Sequence, residues 1–199
     1  MKNRWLFSQE NDFRNFLFDL YGFRDAFDKL VKKDAVILEI GCGNGYFLER
    51  LVKNGYTKLF GVDVVQSSVD ECTAKLFPHV SIQKADGHAL PFPNGGFDVV
   101  VMSHVLEHSP IPQVLLKEVK RVMNSGGIAF IEVPLEMHFT DKSAHFVLWE
   151  SKDDFDVFLR QNGWTIIRSE QGYTSLDGRE VTQKEKHYWV IVVASHASD

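Results

Sequence analysis

The sequence predicts an α/β fold built on a largely parallel sheet. Short apolar runs alternate with helix-length amphipathic segments through most of the 199 residues, which is typical of parallel α/β proteins. A glycine-rich turn, Gly41-Cys-Gly-Asn-Gly45, directly follows the first of these runs. The last two runs are joined without a helix, which indicates an antiparallel hairpin at the end of the sheet.

The elements follow from the spacing of apolar residues. Spacings of four and three predict the first helix, and buried parallel strands are expected as mostly apolar runs. Gly126-Gly127 is predicted to end the fourth helix, and Ser151 with Asp154 resembles a capping box that opens the fifth. The predicted strands span 35–40, 58–63, 79–84, 97–102, 128–133, 164–168 and 187–194, and the predicted helices span 11–32, 45–53, 67–76, 111–123 and 151–162.

Composition excludes several classes of protein. Hydrophobic residues make up 44% and charged residues 25%, which excludes a disordered or collagen-like chain. The net charge of −5 disfavours nucleic acid as a partner, and two cysteines without a CxxC pair exclude a disulfide framework. No apolar run has the length of a membrane span, and the first ten residues lack a signal-peptide core. We therefore expect a soluble cytoplasmic protein, monomeric or homodimeric, with one domain over 1–199 (helical cap 1–33, core 34–199).

The glycine turn has the context of a ligand-binding loop, because it joins a predicted strand to a predicted helix. Its spacing is GxGxG, and Tyr46 stands where a dinucleotide fingerprint has its third glycine. The Gly-Lys-Ser/Thr of a Walker loop is absent. The loop therefore favours a ligand other than a pyrophosphate, and the alternative is an ordinary tight turn.

Two aspartates end neighbouring predicted strands at the edge where open α/β sheets bind ligands. Asp63 follows the second strand and can accept hydrogen bonds from two vicinal ribose hydroxyls; the alternative is a turn or helix-cap aspartate. Asp86 ends the third strand, where it could accept a hydrogen bond from an adenine amino group.

The ordered set of motifs resembles the class I S-adenosylmethionine-dependent methyltransferases, especially the small methyltransferase domains that act on small molecules. The resemblance covers about residues 35–134 and implies a Rossmann-like three-layer sandwich with an N-terminal helical cap. It also implies a strand order of 3-2-1-4-5-7-6, with the seventh strand antiparallel. The matching pieces are Glu39-Ile-Gly-Cys-Gly-Asn-Gly45, Gly61-Val-Asp63, Ala85-Asp-Gly-His-Ala-Leu-Pro-Phe92, Phe97-Asp-Val-Val-Val-Met-Ser-His-Val-Leu-Glu-His108 and 118–127.

The resemblance implies S-adenosylmethionine as the cofactor, with S-adenosylhomocysteine as its product. The glycines would line the methionine part, Asp63 the ribose and Asp86 the region of the adenine, with Ser103 and His104 beside the sulfonium. The implied cofactor-binding residues are Glu39, Gly41, Cys42, Gly43, Gly45, Tyr46, Asp63, Val64, Asp86, Gly87, Ser103 and His104.

Catalysis is expected to come mainly from positioning, because a sulfonium methyl group is already activated for in-line displacement. An acceptor that must lose a proton needs a base, and His104 and His145 are the predicted catalytic residues. Other histidines near the strand ends are His88, His108 and His138, and Glu107-His108 is expected to tie the loop to the next helix. No metal is predicted, because the spacing of His138, Asp141 and His145 fits no strong template.

The sequence does not name the acceptor of the methyl group. We expect a small-molecule acceptor, and the alternatives are that the protein methylates RNA or protein, or that it is a non-catalytic, cofactor-binding scaffold. Six phenylalanines lie in the first 30 residues, and Phe16, Phe23 and Phe27 share a helical stripe that is expected to be buried. Trp5, Phe7 and Phe18 lie off the stripe. Our hypothesis is that some of them form an apolar lid over the acceptor, which favours a hydrophobic or aromatic acceptor, and the alternative is a helix packed on the core.

Overall fold

The computed structural model describes residues 23–135, 145–174 and 187–195. The described residues form one seven-stranded sheet and five α-helices, with a short 3-10 helix at Leu106–His108. The strands are β1 (Val36–Ile40), β2 (Lys58–Asp63), β3 (Val80–Lys84), β4 (Phe97–Ser103), β5 (Met123–Pro134), β6 (Thr165–Thr174) and β7 (His187–Ser195). The helices are α1 (Phe23–Leu30), α2 (Tyr46–Lys53), α3 (Gln66–Leu76), α4 (Pro112–Val122) and α5 (Lys152–Gln161).

The strand order is β3-β2-β1-β4-β5-β7-β6, which confirms the predicted order. The five strands from β3 to β5 are parallel, whereas β7 runs antiparallel between β5 and β6. From β1 the strand order continues through β2 to one edge of the sheet, and from β4 it continues through β5 to the other edge. The carboxyl ends of β1 and β4, with that of β2 beside them, therefore lie at the switch point where ligands bind in open α/β sheets.

Each face of the sheet is covered by its own apolar cluster. On one face, Leu38 and Ile40 of β1 belong to a cluster with apolar residues of α4 and α5. On the other face, Ile37 belongs to a cluster with residues of α1, α2 and α3. This double coverage explains why the central strands are continuous apolar runs rather than alternating patterns.

Two predicted strand boundaries were wrong. The fourth helix ends at Val122, one residue before its predicted end, but β5 begins at once with Met123 rather than at 128. Gly126 therefore lies within β5, with a φ of +77°, beside an irregularity in the register with β4 between Phe97 and Val99. Glycines that permit a bend in a strand carry the same sequence signal as glycines that end a helix. β6 also extends six residues beyond its predicted end at 168.

The N-terminal aromatic cluster is only partly described. Phe27 is 1% exposed, and its ring contacts those of Phe47, Tyr56 and Phe130 at centroid distances of 4.9 to 5.8 Å. Phe27 is therefore core, as its place on the stripe predicts. Trp5, Phe7, Phe16 and Phe18 lie outside the described residues, so the lid stays a prediction. No helix in the described ranges has the length and apolar character to cross a bilayer.

Candidate functional site

The glycine loop is a tight turn between β1 and α2. Gly41, Gly43 and Gly45 have φ angles of +72°, +51° and +74°, a region that side chains with a Cβ disfavour. The backbone N–H groups of Gly41 and Cys42 both donate to the carbonyl of Val62 in β2, at 2.8 and 3.0 Å. The loop is thus anchored to the neighbouring strand.

Asp63 fixes the same loop from the end of β2. Its Oδ2 accepts a hydrogen bond from the N–H of Gly43 at 2.9 Å, and its Oδ1 accepts one from the N–H of Val65 at 2.8 Å. The bond from Val65 stabilises the turn after β2, which is the alternative role expected for this aspartate. The first bond joins two strand ends, and Asp63 remains half-buried, with lone pairs left to accept further hydrogen bonds.

The inner side of the loop is packed against α3. Cys42 is 1% exposed, and hydrogen bonding to the buried Cys72 together with burial raises the pKa of the Cys42 thiol. A Cβ added to Gly45 would come within 2.4 Å of the Cys72 Sγ, so this glycine permits close approach of α2 and α3. The thiol of Cys42 therefore faces the core, and only its backbone can line a ligand. Tyr46 is half-buried beside it, and Val64 is 64% exposed.

Asp86 forms a small network beyond β3. Its Oδ1 accepts from the backbone N–H of His88 at 2.9 Å and lies 2.7 Å from the ring Nδ1 of the same residue. These bonds lower the pKa of the Asp86 carboxyl, the backbone bond most strongly. The His88 Nε2 lies 2.7 Å from the hydroxyl of the buried Ser109. Next to this network, a Cβ on Gly87 would be 2.8 Å from Leu115 Cδ1, so the absence of a side chain at Gly87 allows Leu115 to pack against the backbone there.

Ser103 and His104 lie at the end of β4, between two carboxylates. The Ser103 hydroxyl donates to Glu132 Oε2 at 2.6 Å, and the backbone N–H of His104 donates to the Glu132 carbonyl at 3.0 Å. His104 has a φ of +53°, unusual for a residue other than glycine, and its Nδ1 is 3.3 Å from Glu107 Oε1. The register of β4 and β5, which pairs Ser103 with Glu132, brings this group together.

The two carboxylates set the charge of the His104 ring. Burial opposes its ionisation, but the neighbouring carboxylates of Glu107 and Glu132 outweigh burial and raise the pKa of His104 to about 10. A ring that keeps its proton at neutral pH donates hydrogen bonds and accepts no further proton. This arrangement favours a role in orientation over proton abstraction for His104.

Three of the residues predicted near the strand ends, Glu107, His108 and His145, lie close together around the 3-10 helix after β4. His145 lies beside His108, with 5.0 Å between ring centroids. The carbonyl of Glu107 accepts hydrogen bonds from the N–H groups of Phe146 and Val147 at 2.9 and 3.3 Å. Glu107 therefore ties the loop to the segment before α5. His138 and Asp141 lie outside the described residues.

Sequence reasoning missed two members of the site. Glu132 occupies the end of β5, and its place opposite Ser103 could have been found by writing the predicted strand order with its register. Ser109, the partner of His88, follows the 3-10 helix, and nothing in the local pattern predicted that contact. Glu39, penultimate in β1, is 3% exposed, so its carboxylate belongs to the buried end of the strand.

Comparison with known proteins agrees with this geometry. Residues 38–131 match the family described as a methyltransferase domain. A probable S-adenosylmethionine-dependent methyltransferase of Mycolicibacterium smegmatis is 31% identical over 104 residues, 52% of this chain and 40% of that protein. The human eEF1A lysine and N-terminal methyltransferase is 34% identical over 111 residues, 50% of this chain and 16% of that protein. The chain thus spans less than half the length of these relatives.

A crystal structure of an S-adenosylmethionine-dependent methyltransferase from Methanosarcina mazei shares the fold. It superposes with a TM-score of 0.72 at 16% identity, covering 91% of this chain and all of that one. The matched segment contains the glycine loop, Asp63, Asp86 and the end of β4, in the order that the resemblance requires. Residues 38–131 thus match the methyltransferase-domain family, and over this segment the comparisons support the resemblance to the class I S-adenosylmethionine-dependent methyltransferases.

Proposed function

We propose that this protein is an enzyme that transfers the methyl group of S-adenosylmethionine to a small-molecule acceptor. The observation that carries the proposal is the pair of hydrogen bonds that the Asp63 carboxylate accepts from the backbone N–H groups of Gly43 and Val65. The bond from Gly43 fixes the glycine loop at the switch point of the sheet, with the acidic side chain of Asp63 beside it. Such an arrangement suits a ligand that carries vicinal hydroxyls.

The donor chemistry of this edge fits the cofactor. Carboxylates accept hydrogen bonds from hydroxyl and amino groups, and they favour a cation over a phosphate. In our proposal Gly41 and Gly43 hold the methionine part, Asp63 the ribose and Asp86 the adenine side. When bound, S-adenosylmethionine supplies a methyl group activated by a sulfonium. The acidic side chains at this edge are Glu39, Asp63, Asp86, Glu107 and Glu132.

The residues at the end of β4 position the reactants. Glu132 holds the Ser103 hydroxyl at 2.6 Å, and the carbonyl of the same glutamate holds the backbone of His104 at 3.0 Å. A side chain fixed in this way loses little freedom when a ligand binds, which favours an accurate approach of the acceptor. His104 and His145 are proposed to contact the acceptor, with His104 as a hydrogen-bond donor.

The charge balance supports a small molecule over RNA, because a net charge of −5 repels a polyphosphate backbone. A protein acceptor is the second candidate, and the similarity to the human eEF1A lysine and N-terminal methyltransferase favours it.

Labelled methyl transfer distinguishes the acceptor classes. The protein is incubated with methyl-labelled S-adenosylmethionine and separate small-molecule, RNA and protein fractions of a cell extract. Label in the small-molecule fraction, reduced with the Asp63→Ala variant at limiting cofactor, is the expected result. Label in protein instead supports the second candidate. Cofactor binding without transfer to any fraction would contradict enzymatic activity and favour the scaffold.

A further inference from the structure

We propose that Glu107, His108 and His145 form a binding site for a divalent transition-metal ion of the zinc type. Each residue offers one ligand atom, and the three atoms all lie within 4.8 Å of one another. The sequence predicted no metal, because the spacing of His138, Asp141 and His145 fits no strong template. The three ligands proposed here include two, Glu107 and His108, that are distant from His145 in sequence.

The distances between the three side chains are close to the distances between the ligands of a coordinated ion. The Nε2 of His108 is 3.8 Å from Oε1 of Glu107, and the rings of His108 and His145 are 5.0 Å apart. Bonds of about 2.1 Å put two ligands of a tetrahedral zinc ion about 3.4 Å apart. Small side-chain rotations would therefore close the site around an ion.

The buried carboxylate points to a missing cation. The side chain of Glu107 is 0% exposed, and among the described residues neither of its oxygens has a hydrogen-bond partner. A buried charge without hydrogen bonds is strongly unfavourable unless a cation neutralises it. His104, whose Nδ1 is 3.3 Å from Oε1, is the competing source of positive charge, but it approaches only that oxygen.

The backbone brings the ligands together before any ion binds. Glu107 and His108 are adjacent in the 3-10 helix, whose Leu106 is fully buried. Two backbone hydrogen bonds, from Phe146 and Val147 to the Glu107 carbonyl, hold the residues that follow His145. A site held in this way needs little ordering of the chain when it binds an ion.

The donor set selects the class of ion. Two imidazoles with one carboxylate suit zinc and other transition ions, whereas magnesium and calcium prefer oxygen ligands throughout. Three protein ligands leave a coordination position open, as in catalytic rather than structural zinc sites. The Glu107 ligand atom lies 3.3 Å from Nδ1 of His104, so the site adjoins the proposed place of the acceptor, although the metal site itself does not depend on the proposed function.

Calorimetric titration of the full chain with Zn²⁺ tests the site. We expect one ion per chain, and binding at least about tenfold weaker in His108→Ala and in His145→Ala. His108 is 46% exposed, so its variant should fold. The control is His79→Ala, since His79 is exposed and precedes β3, at the opposite end of the strands. Co²⁺ in place of Zn²⁺ should give visible absorption bands that both variants lose.

Binding of zinc that is unchanged in either variant would overturn the proposal, as would the absence of binding at millimolar Zn²⁺. Loss of binding in His79→Ala as well would identify adventitious surface histidines instead. Circular dichroism of each variant separates loss of a ligand from loss of the fold. Weak binding in all proteins, with no Co²⁺ bands, would also overturn it.

Discussion

The carboxylate of Asp63 accepts a hydrogen bond from the backbone N–H of Gly43 across 20 residues of sequence, at 2.9 Å. One side chain thereby sets the shape of the loop and the donor chemistry of the strand end beside it. The pair makes Asp63 the residue whose replacement should affect cofactor binding most directly.

Asp63→Ala should weaken binding of S-adenosylhomocysteine by about 1–3 kcal/mol, because hydrogen bonds to a charged group are lost at a partly buried position. Titration calorimetry measures the change. Asp70→Ala, an exposed position on α3, is the matched control and should bind as the parent does. Unchanged affinity in Asp63→Ala would remove this residue from the site.

Gly41→Ala should destabilise the protein more than Gly126→Ala. Both residues have φ above +70°, but a Cβ on Gly41 would be 2.5 Å from Val105 Cγ2, whereas nothing lies within 4 Å of one on Gly126. Backbone strain should cost about 1–2 kcal/mol in each, and the clash about 1–3 kcal/mol more in Gly41→Ala. Urea unfolding compares the two, and equal losses would contradict the clash.

His104 and Glu107 should be energetically coupled. The His104 Nδ1 lies 3.3 Å from Oε1 of the fully buried Glu107, so removing His104 takes away a positive charge beside a buried carboxylate. His104→Asn, which tolerates a positive φ, and Glu107→Gln should together cost less than the sum of the single losses, by about 0.5–3 kcal/mol. The cycle is measured by urea unfolding with a chelator present. Additive losses would show that the two side chains act independently.

Phe27→Ala should cost about 3–5 kcal/mol of stability, because a fully buried ring in contact with three aromatic neighbours leaves a cavity. Phe77→Ala makes the same chemical change at a side chain that is 75% exposed, and should stay within about 0.5 kcal/mol of the parent. Thermal and urea unfolding give both values. A small loss for Phe27→Ala would mean that α1 contributes little to the core.

Glu49 should contribute to the acid sensitivity of the fold. Hydrogen bonds from Lys53 and Lys75, at 2.7 and 2.6 Å, lower the pKa of its carboxyl in the folded state. Its contribution is therefore complete above the unfolded pKa of about 4.3 and is lost as the pH falls through the lower folded pKa. The parent should lose up to about 1 kcal/mol more than Glu49→Gln between pH 6 and pH 3.

Urea unfolding at the two pH values measures this difference. Glu71→Gln, at an exposed position on α3, is the control and should follow the parent. Parallel losses in the parent and Glu49→Gln would assign the acid sensitivity to other groups.

The sequence predicts the strands and the glycine loop because both have local signals, whereas the strand order was implied by the family resemblance. A strand such as β4 is buried on both faces and is therefore a continuous apolar run, and the glycine turn needs residues that adopt positive φ. The site around His104 has no such signal. Glu132 reaches Ser103 only through the register of two strands, and His145 reaches His108 only through backbone hydrogen bonds to Glu107. Contacts of this kind leave no periodicity in the chain.

The segment between β5 and α5 is anchored at both ends. Leu135 pairs with Trp149 in an isolated bridge, and Phe146 and Val147 are hydrogen-bonded to Glu107. The bridge belongs to the end of β5, and the two hydrogen bonds belong to the 3-10 helix that follows β4. The described residues before α5 are therefore fastened to two neighbouring strand ends, so that a change at the end of β4 would be passed to α5 through the backbone.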